Sequence, residues 1–445
     1  MAKRRKQPVT IIGAGLTGCF LSMLLAKRGF KVNIFEKLHE NPKGPINKSY
    51  SLTFYGYATR ALKMAGIWKK VKKILVRLDG SQTYLSKSPG PVFAKFGKGI
   101  PYYAVSRGSL LECFRQIARS MANIRFHYES ALIFIDRKDK SIFIQNTLSK
   151  KIRRYSSSVI FGADGVSSTV RQFIQKGQQS SQIQEYSDWF YKQVSLSKST
   201  VQKLKLKKGF TYSWTSDRLI LVSYPDPGKT FSGILLSKQK ENKLSSVKEI
   251  FPDLYPAFDD IAGSLFENPQ SSFVTLNTSP WHYRDFMVIL GDAAHAFYPF
   301  FGQGISVGFG DCLSLIALIK KYPGSWSKIF EAFQLSRKKN TDIIAFLSKN
   351  AFERYKRNKK ADFSAIYEKF EEIIHRLFPG IFAPPLFDLI ALNPVNAADA
   401  FKNWQKQRKV FQLLGIPLLI SFAVLILGKI EDWNYRLGKN RLARS

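Results

Sequence analysis

The sequence is short of acid. Its 445 residues hold 32 Asp and Glu against 69 Lys and Arg, a formal net charge of +37. It has three cysteines, Cys19, Cys113 and Cys312, far apart and without a CxxC pair. Such a set excludes a disulfide framework and a cysteine-built zinc site, and fits a reducing compartment. The five histidines show neither HxH nor HExxH spacing, so no metal centre is expected. There is no GxSxG nucleophile elbow and no repeat of fixed period. No signal peptide is expected at the N-terminus, because the apolar run after Lys6 is broken by glycines within a few residues.

What is present supports a large core: 45% of residues are hydrophobic and 14% aromatic. The length suits about two or three domains. Basic clusters at Lys3–Lys6, Lys69–Lys73, Lys203–Lys208 and Arg354–Lys360 suit an anionic membrane surface or a plain solvated face. No nucleic-acid-binding motif accompanies them, so nucleic acid is not an expected partner. The uncharged run Val410–Gly428 is long enough to reach about 28 Å as a helix, with Trp404 and Trp433 near its ends. It predicts a membrane-anchor helix, with the catalytic part facing the cytoplasm; a buried core helix is the alternative.

Along the chain, 8–12 reads as a buried strand, 20–28 as a helix and 31–35 as a second strand, a compact βαβ unit. Between the first strand and the helix lies Gly13-x-Gly15-x-x-Gly18, with Leu16 and Thr17 inside it. Glu36 and Lys37 close the second strand. In this context the glycines allow a tight turn, close approach of a pyrophosphate and close helix–strand packing. The helix end attracts phosphate, and Glu36 can accept from ribose hydroxyls. FAD and NAD(P) both fit. A second buried strand ends in Gly162-Ala163-Asp164-Gly165, with Arg171 following; Asp164 can serve a second ribose or a helix end. A third leads into Gly291-Asp292-Ala293-Ala294-His295, then a loop with Pro299, Gly302 and Gly304 and a helix from about Ile305. That helix would direct its positive end at a flat ring. His295 reads as structural.

These three motifs, in this order, resemble the FAD-dependent aromatic hydroxylase family. The resemblance implies FAD bound by Gly13, Gly15, Leu16, Thr17, Gly18, Glu36 and Lys37, by Arg107 at a helix start, by Asp164 and Gly165, and by Gly291, Asp292, Pro299, Gly302, Gly304 and Ile305. It implies NADPH as reductant without a second dinucleotide fold, and O2 adding to flavin C4a to give a hydroperoxide that hydroxylates a small electron-rich aromatic. No side chain need act as nucleophile. Arg77 and Tyr84 would grip a substrate carboxylate, Arg77 as a buried cation, and Phe301 would line the pocket. The family carries Asn where this chain has Ser306 and Glu where it has Gly310.

The expected fold is α/β: a Rossmann-like FAD-binding domain with an inserted, mostly antiparallel β substrate domain and a C-terminal helical region ending in a membrane-anchor helix. The FAD-binding part covers 1–185, with substrate-domain strands near 45–100, and resumes over 281–345. The substrate domain covers 186–280, the helical region 346–409 and the anchor 410–428. Two other functions fit the same residues: a related flavoenzyme acting on a lipid-soluble substrate such as a quinone precursor, and a non-catalytic FAD-binding membrane protein.

Overall fold

The computed structural model describes residues 8–40, 51–86, 90–96, 100–238, 244–299, 302–357 and 363–413. The chain forms two compact units, one of residues 1–358 with 393–395, the other of 359–392 with 396–445.

A six-stranded sheet organises the first unit. Its order is His282–Tyr283, Met287–Ile289, Ile160–Gly162, Val9–Ile12, Val32–Phe35, Ile124–His127. All neighbours are parallel except the outer pair Tyr283–Met287. The inner strands are short, largely apolar runs, as expected for a parallel sheet with both faces covered. Ile12 lies beside Gly162, and Gly162 beside Ile289. The three motif-bearing turns therefore leave adjacent strands at one carboxyl edge, where ligands of open α/β sheets bind. Against this sheet pack the helices Leu16–Ala26, Arg107–Arg119 and Gly304–Lys321. Phe20 meets Phe309 at 4.3 Å and Phe114 at 6.0 Å between ring centres.

An eight-stranded sheet follows in the order His295–Ala296, Ser271–Ser279, Ser181–Leu196, Phe231–Ser237, Leu219–Pro225, Phe210–Thr215, Gly80–Leu85, Val92–Lys95. One pair, Phe210–Thr215 with Gly80–Leu85, is parallel and the rest are antiparallel. One face of this sheet buries Tyr212, Trp214, Leu219, Leu221 and Leu235 in a core shared with Val247, Ile261 and Leu265 of the helices Leu244–Ile250 and Phe258–Glu267. The other face carries Trp189, Ile220, Leu236 and Phe273, packed with Tyr298 and Phe352. The mostly antiparallel reading of the middle of the chain agrees with this sheet. The sheet also takes in 80–85, 92–95 and, beyond the expected boundary, 295–296.

The strand Ile152–Ser156 completes a three-stranded sheet with Ser141–Asn146 and Ser130–Asp136. A single helix, Trp326–Arg357, runs for 32 residues.

The second unit holds the helices Phe363–Leu377, Leu386–Leu392 and Ala397–Leu413. Phe370 and Phe411 form its core with Tyr367, Ile374 and Phe382. Among the described residues no helix is long and apolar enough to cross a membrane. Of the expected anchor 410–428, residues 414–428 lie outside the described residues, as do Phe301 and Lys3–Lys6. Its expected start is corrected. Phe411 is 3% exposed and stacks on Phe382 at 5.2 Å, so Val410–Leu413 finish a core helix bearing Lys402, Lys406, Arg408 and Lys409.

Candidate active site

The site starts at the first glycine turn. Gly18 allows helix and strand to touch, since a Cβ there would stand 2.0 Å from the Gly13 carbonyl oxygen. Gly15 is different. A Cβ there would meet nothing within 4 Å. It caps the helix Leu16–Ala26 with no side-chain hydrogen bond and no acid in the first turn, so that helix end is left to an external anion. Glu36 accepts the Ala14 N–H at 2.8 Å on one oxygen and the Leu38 N–H at 3.0 Å on the other. This holds the carboxylate at the strand end with lone pairs to spare for ribose hydroxyls. Behind the turn, Arg115 is 7% exposed and donates to the carbonyls of Ala14 at 3.4 Å and Glu40 at 3.3 Å. No sequence pattern marks Arg115, which sits in an ordinary amphipathic helix.

The second turn is built around Asp164. Its carboxylate accepts from Ser168 Oγ at 2.5 Å and from the amides of Thr169 and Val170 at 2.8 and 3.2 Å. Burial pushes its pKa up, and these bonds oppose the rise. Asp164 thus holds the start of Thr169–Gln175, whose N-cap is Ser168, by accepting its first two amides. Arg171, 3% exposed, donates to Val166 O, to Gln182 Oε1 and, at 2.9 Å, to Ala293 O of the third turn.

The third turn, Gly291–Ala293, starts with Gly291 at φ +60, in the left-handed region. A Cβ at Gly291 would lie 2.9 Å from Thr17 Oγ1. Gly13 lies against the Ala163 backbone in the same way. The contacts Gly13–Ala163, Thr17–Gly291 and Arg171–Ala293 close a triangle, so the three turns share one cleft. Asp292 is exposed, while Gly291, Ala293 and Ala294 are buried. The turn also joins the two sheets: Met287–Ile289 belongs to the six-stranded sheet, His295–Ala296 to the eight-stranded one.

Beyond it, Pro299 and Gly304 are exposed and Gly302 and Ile305 half-buried. The helix Gly304–Lys321 has Gln303 as its N-cap. Gln303 is 0% exposed and donates to Tyr55 Oη at 2.9 Å, while its Oε1 has no hydrogen-bond partner among the described residues. A buried amide with one end free, beside a helix start, fits a bound heterocycle rich in N–H and C=O groups. Tyr55 stacks on Tyr102 at 4.6 Å, and Tyr102 on Phe96 at 4.4 Å. Tyr224 of the eight-stranded sheet packs on the same cluster. Neither Gln303 nor this aromatic column stood out in the sequence.

Deeper still lies a charged cluster. Asp311, 0% exposed, accepts from Gly291 N at 2.9 Å, His295 Nε2 at 2.7 Å and Arg337 Nε at 2.8 Å. Burial opposes its ionisation, but His295 and Arg337 overcome that and hold its pKa down to about 2. His295 is structural, as expected. Ser306 and Gly310 are both buried on the same helix.

The other expected residues fall as follows. Arg107 is exposed at the first position of its helix, and Lys37 is exposed after Glu36. Arg77 is not a buried cation: its side chain is 76% exposed and faces Asp79 at 3.7 Å. Tyr84 stacks on Trp214 at 5.2 Å, on the sheet face covered by helices, which turns it away from Tyr298 and the third turn. Strand alternation sends Thr83, not Tyr84, to the other face.

The family profile described as an FAD-binding domain matches residues 6–327. Kynurenine 3-monooxygenase of Christiangramia forsetii is 28% identical over 429 residues, covering 93% of this chain and 95% of the relative. The enzyme of the same name from Legionella pneumophila is 31% identical over 76% of this chain and 78% of its own length. Among solved structures, 2-methyl-3-hydroxypyridine-5-carboxylic acid oxygenase superposes with a TM-score of 0.68 at 18% identity, over 81% of this chain and 94% of that one. A tetracycline destructase gives 0.63 at 14% identity, over 87% and 98%. These two share the fold. With a profile spanning both sheets and relatives spanning nearly the whole length, the chain belongs to the FAD-dependent aromatic hydroxylase family and is a flavin monooxygenase that uses FAD and NADPH.

Proposed function

We propose that this monooxygenase hydroxylates L-kynurenine to 3-hydroxykynurenine. One atom of O2 enters the ring, the other leaves as water, and NADPH supplies two electrons. The observation that carries the reading is similarity to kynurenine 3-monooxygenases along 93% of the chain, well past residue 327 where the family profile ends. Bound FAD supplies the electron- and oxygen-transfer chemistry. The chain's own part is to hold and orient the ring and to exclude water. The column Tyr55–Tyr102–Phe96 offers a flat aromatic wall beside Gln303.

One observation favours a second reading, an aromatic or alkene substrate without a carboxylate. Arg77 is exposed, and the buried arginines Arg115, Arg171 and Arg337 are all bound to groups of the chain itself. The test is NADPH oxidation by the detergent-purified protein with and without L-kynurenine. Strong stimulation with one hydroxylated product per NADPH is expected. Bound flavin without stimulation would reject kynurenine in favour of the second reading.

We also propose that the apolar run 414–428 attaches the protein to a membrane, with the catalytic part in the cytoplasm and basic residues against anionic headgroups. Removing 414–445 leaves Phe411 in its core and is expected to release the protein from the membrane fraction. Unchanged fractionation rejects the anchor.

A further inference from the structure

We propose that Asp311 is a positioning residue for the flavin: one buried carboxylate sets Asp292 and the start of the helix Gly304–Lys321 at a fixed distance from each other. The inference rests on flavin meeting those two elements, not on the identity of the substrate.

The geometry is specific. Asp311 Oδ2 accepts the N–H of Gly291, the residue just before Asp292, and also His295 Nε2. Asp311 Oδ1 accepts Arg337 Nε, and Arg337 Nη2 reaches back to Val307 O near the start of the same helix. Asp311 itself lies two turns inside that helix. His295 pairs with Asn277 and so ties the cluster to the eight-stranded sheet. Three donors, two from the third turn and one from the helix Trp326–Arg357, thus converge on one group that can only accept. An amide of the same size cannot replace it. It offers one oxygen and one NH2, so either Arg337 or the Gly291–His295 pair must face a donor with a donor.

The test compares full-length Asp311→Asn with Arg337→Lys. Both disturb the ion pair, but only the first disturbs the Gly291 bond. FAD is stripped and titrated back by flavin fluorescence. Visible circular dichroism of the bound flavin and the thermal midpoint of the apoprotein are recorded alongside. Asp311→Asn is expected to weaken FAD binding about tenfold or more and to alter the flavin dichroism, while Arg337→Lys keeps affinity within about threefold at a similar loss of thermal midpoint. Wild-type affinity and dichroism in Asp311→Asn would overturn the proposal. So would losses of affinity that track the thermal midpoint in both variants. If Asp311→Asn does not fold, His295→Gln, which keeps a donor near Nε2, is compared with His295→Leu. Gln is expected to retain FAD affinity and Leu to lose it; equal effects overturn the proposal. A wild-type apoprotein that takes up no FAD would instead undermine the family reading.

Discussion

Gln303 donates its side-chain N–H to the phenol of Tyr55 at 2.9 Å, across 248 residues of sequence. The bond joins the turn after the strand Ser51–Phe54 to the N-cap of the helix that faces the flavin cleft. Gln303→Leu leaves the buried Tyr55 hydroxyl without that donor and removes the free amide end from the cleft. The expected effect is a fall of about tenfold in NADPH-coupled turnover, with a stability loss of about 1–3 kcal/mol. Product per NADPH and urea unfolding check both; a fully active variant would remove Gln303 from the site.

Gly15 and Gly18 separate cofactor binding from folding. Gly15→Ala places a methyl in open space at the helix end that the glycine motif reserves for a phosphate. It should leave the apoprotein thermal midpoint within about 2 °C and weaken FAD binding at least about tenfold. Gly18→Ala drives a methyl into the Gly13 carbonyl and should destabilise the apoprotein by several kcal/mol. Scanning calorimetry and FAD titration on the two variants make the comparison. Equal effects would mean that the open space at Gly15 is not where the cofactor lies.

Arg77→Gln is expected to change the substrate KM by less than about twofold, since an exposed ion pair contributes little. Tyr84→Phe should likewise leave KM unchanged, because that ring packs under the helices against Trp214. A tenfold rise in KM in either variant would restore them as substrate ligands.

Glu371 makes the second unit pH-sensitive. Burial raises its pKa from 4.5 to about 7, against the opposing bond from Trp404 Nε1 at 2.8 Å. The folded state therefore binds this proton more tightly than the unfolded chain. Its stabilising effect is complete below about pH 4.5 and is lost as pH rises to about 7, a change on the order of 3 kcal/mol at most. Glu371→Gln should raise the thermal midpoint at pH 8 and flatten that dependence in a pH series of melts.

The three glycine turns were legible because each imposes a local demand, a tight bend or a close approach, that few residues meet. The strands feeding them were legible as short β-branched runs. Tyr55, Gln303, Arg115 and Arg337 were not, because their roles depend on partners distant in sequence. Tyr84 failed for another reason. Alternation says that neighbours point opposite ways, and only the tertiary packing says which way is inward. The start of the anchor failed because an apolar run does not reveal that Phe411 already has a core to enter.

The handover of the chain from one sheet to the other within Leu290–Ala294 has a mechanical consequence. The span between these sheets is short, and Asp311 and Arg171 hold it from behind through Gly291 N and Ala293 O. Any change in the angle between the two sheets therefore strains these buried bonds.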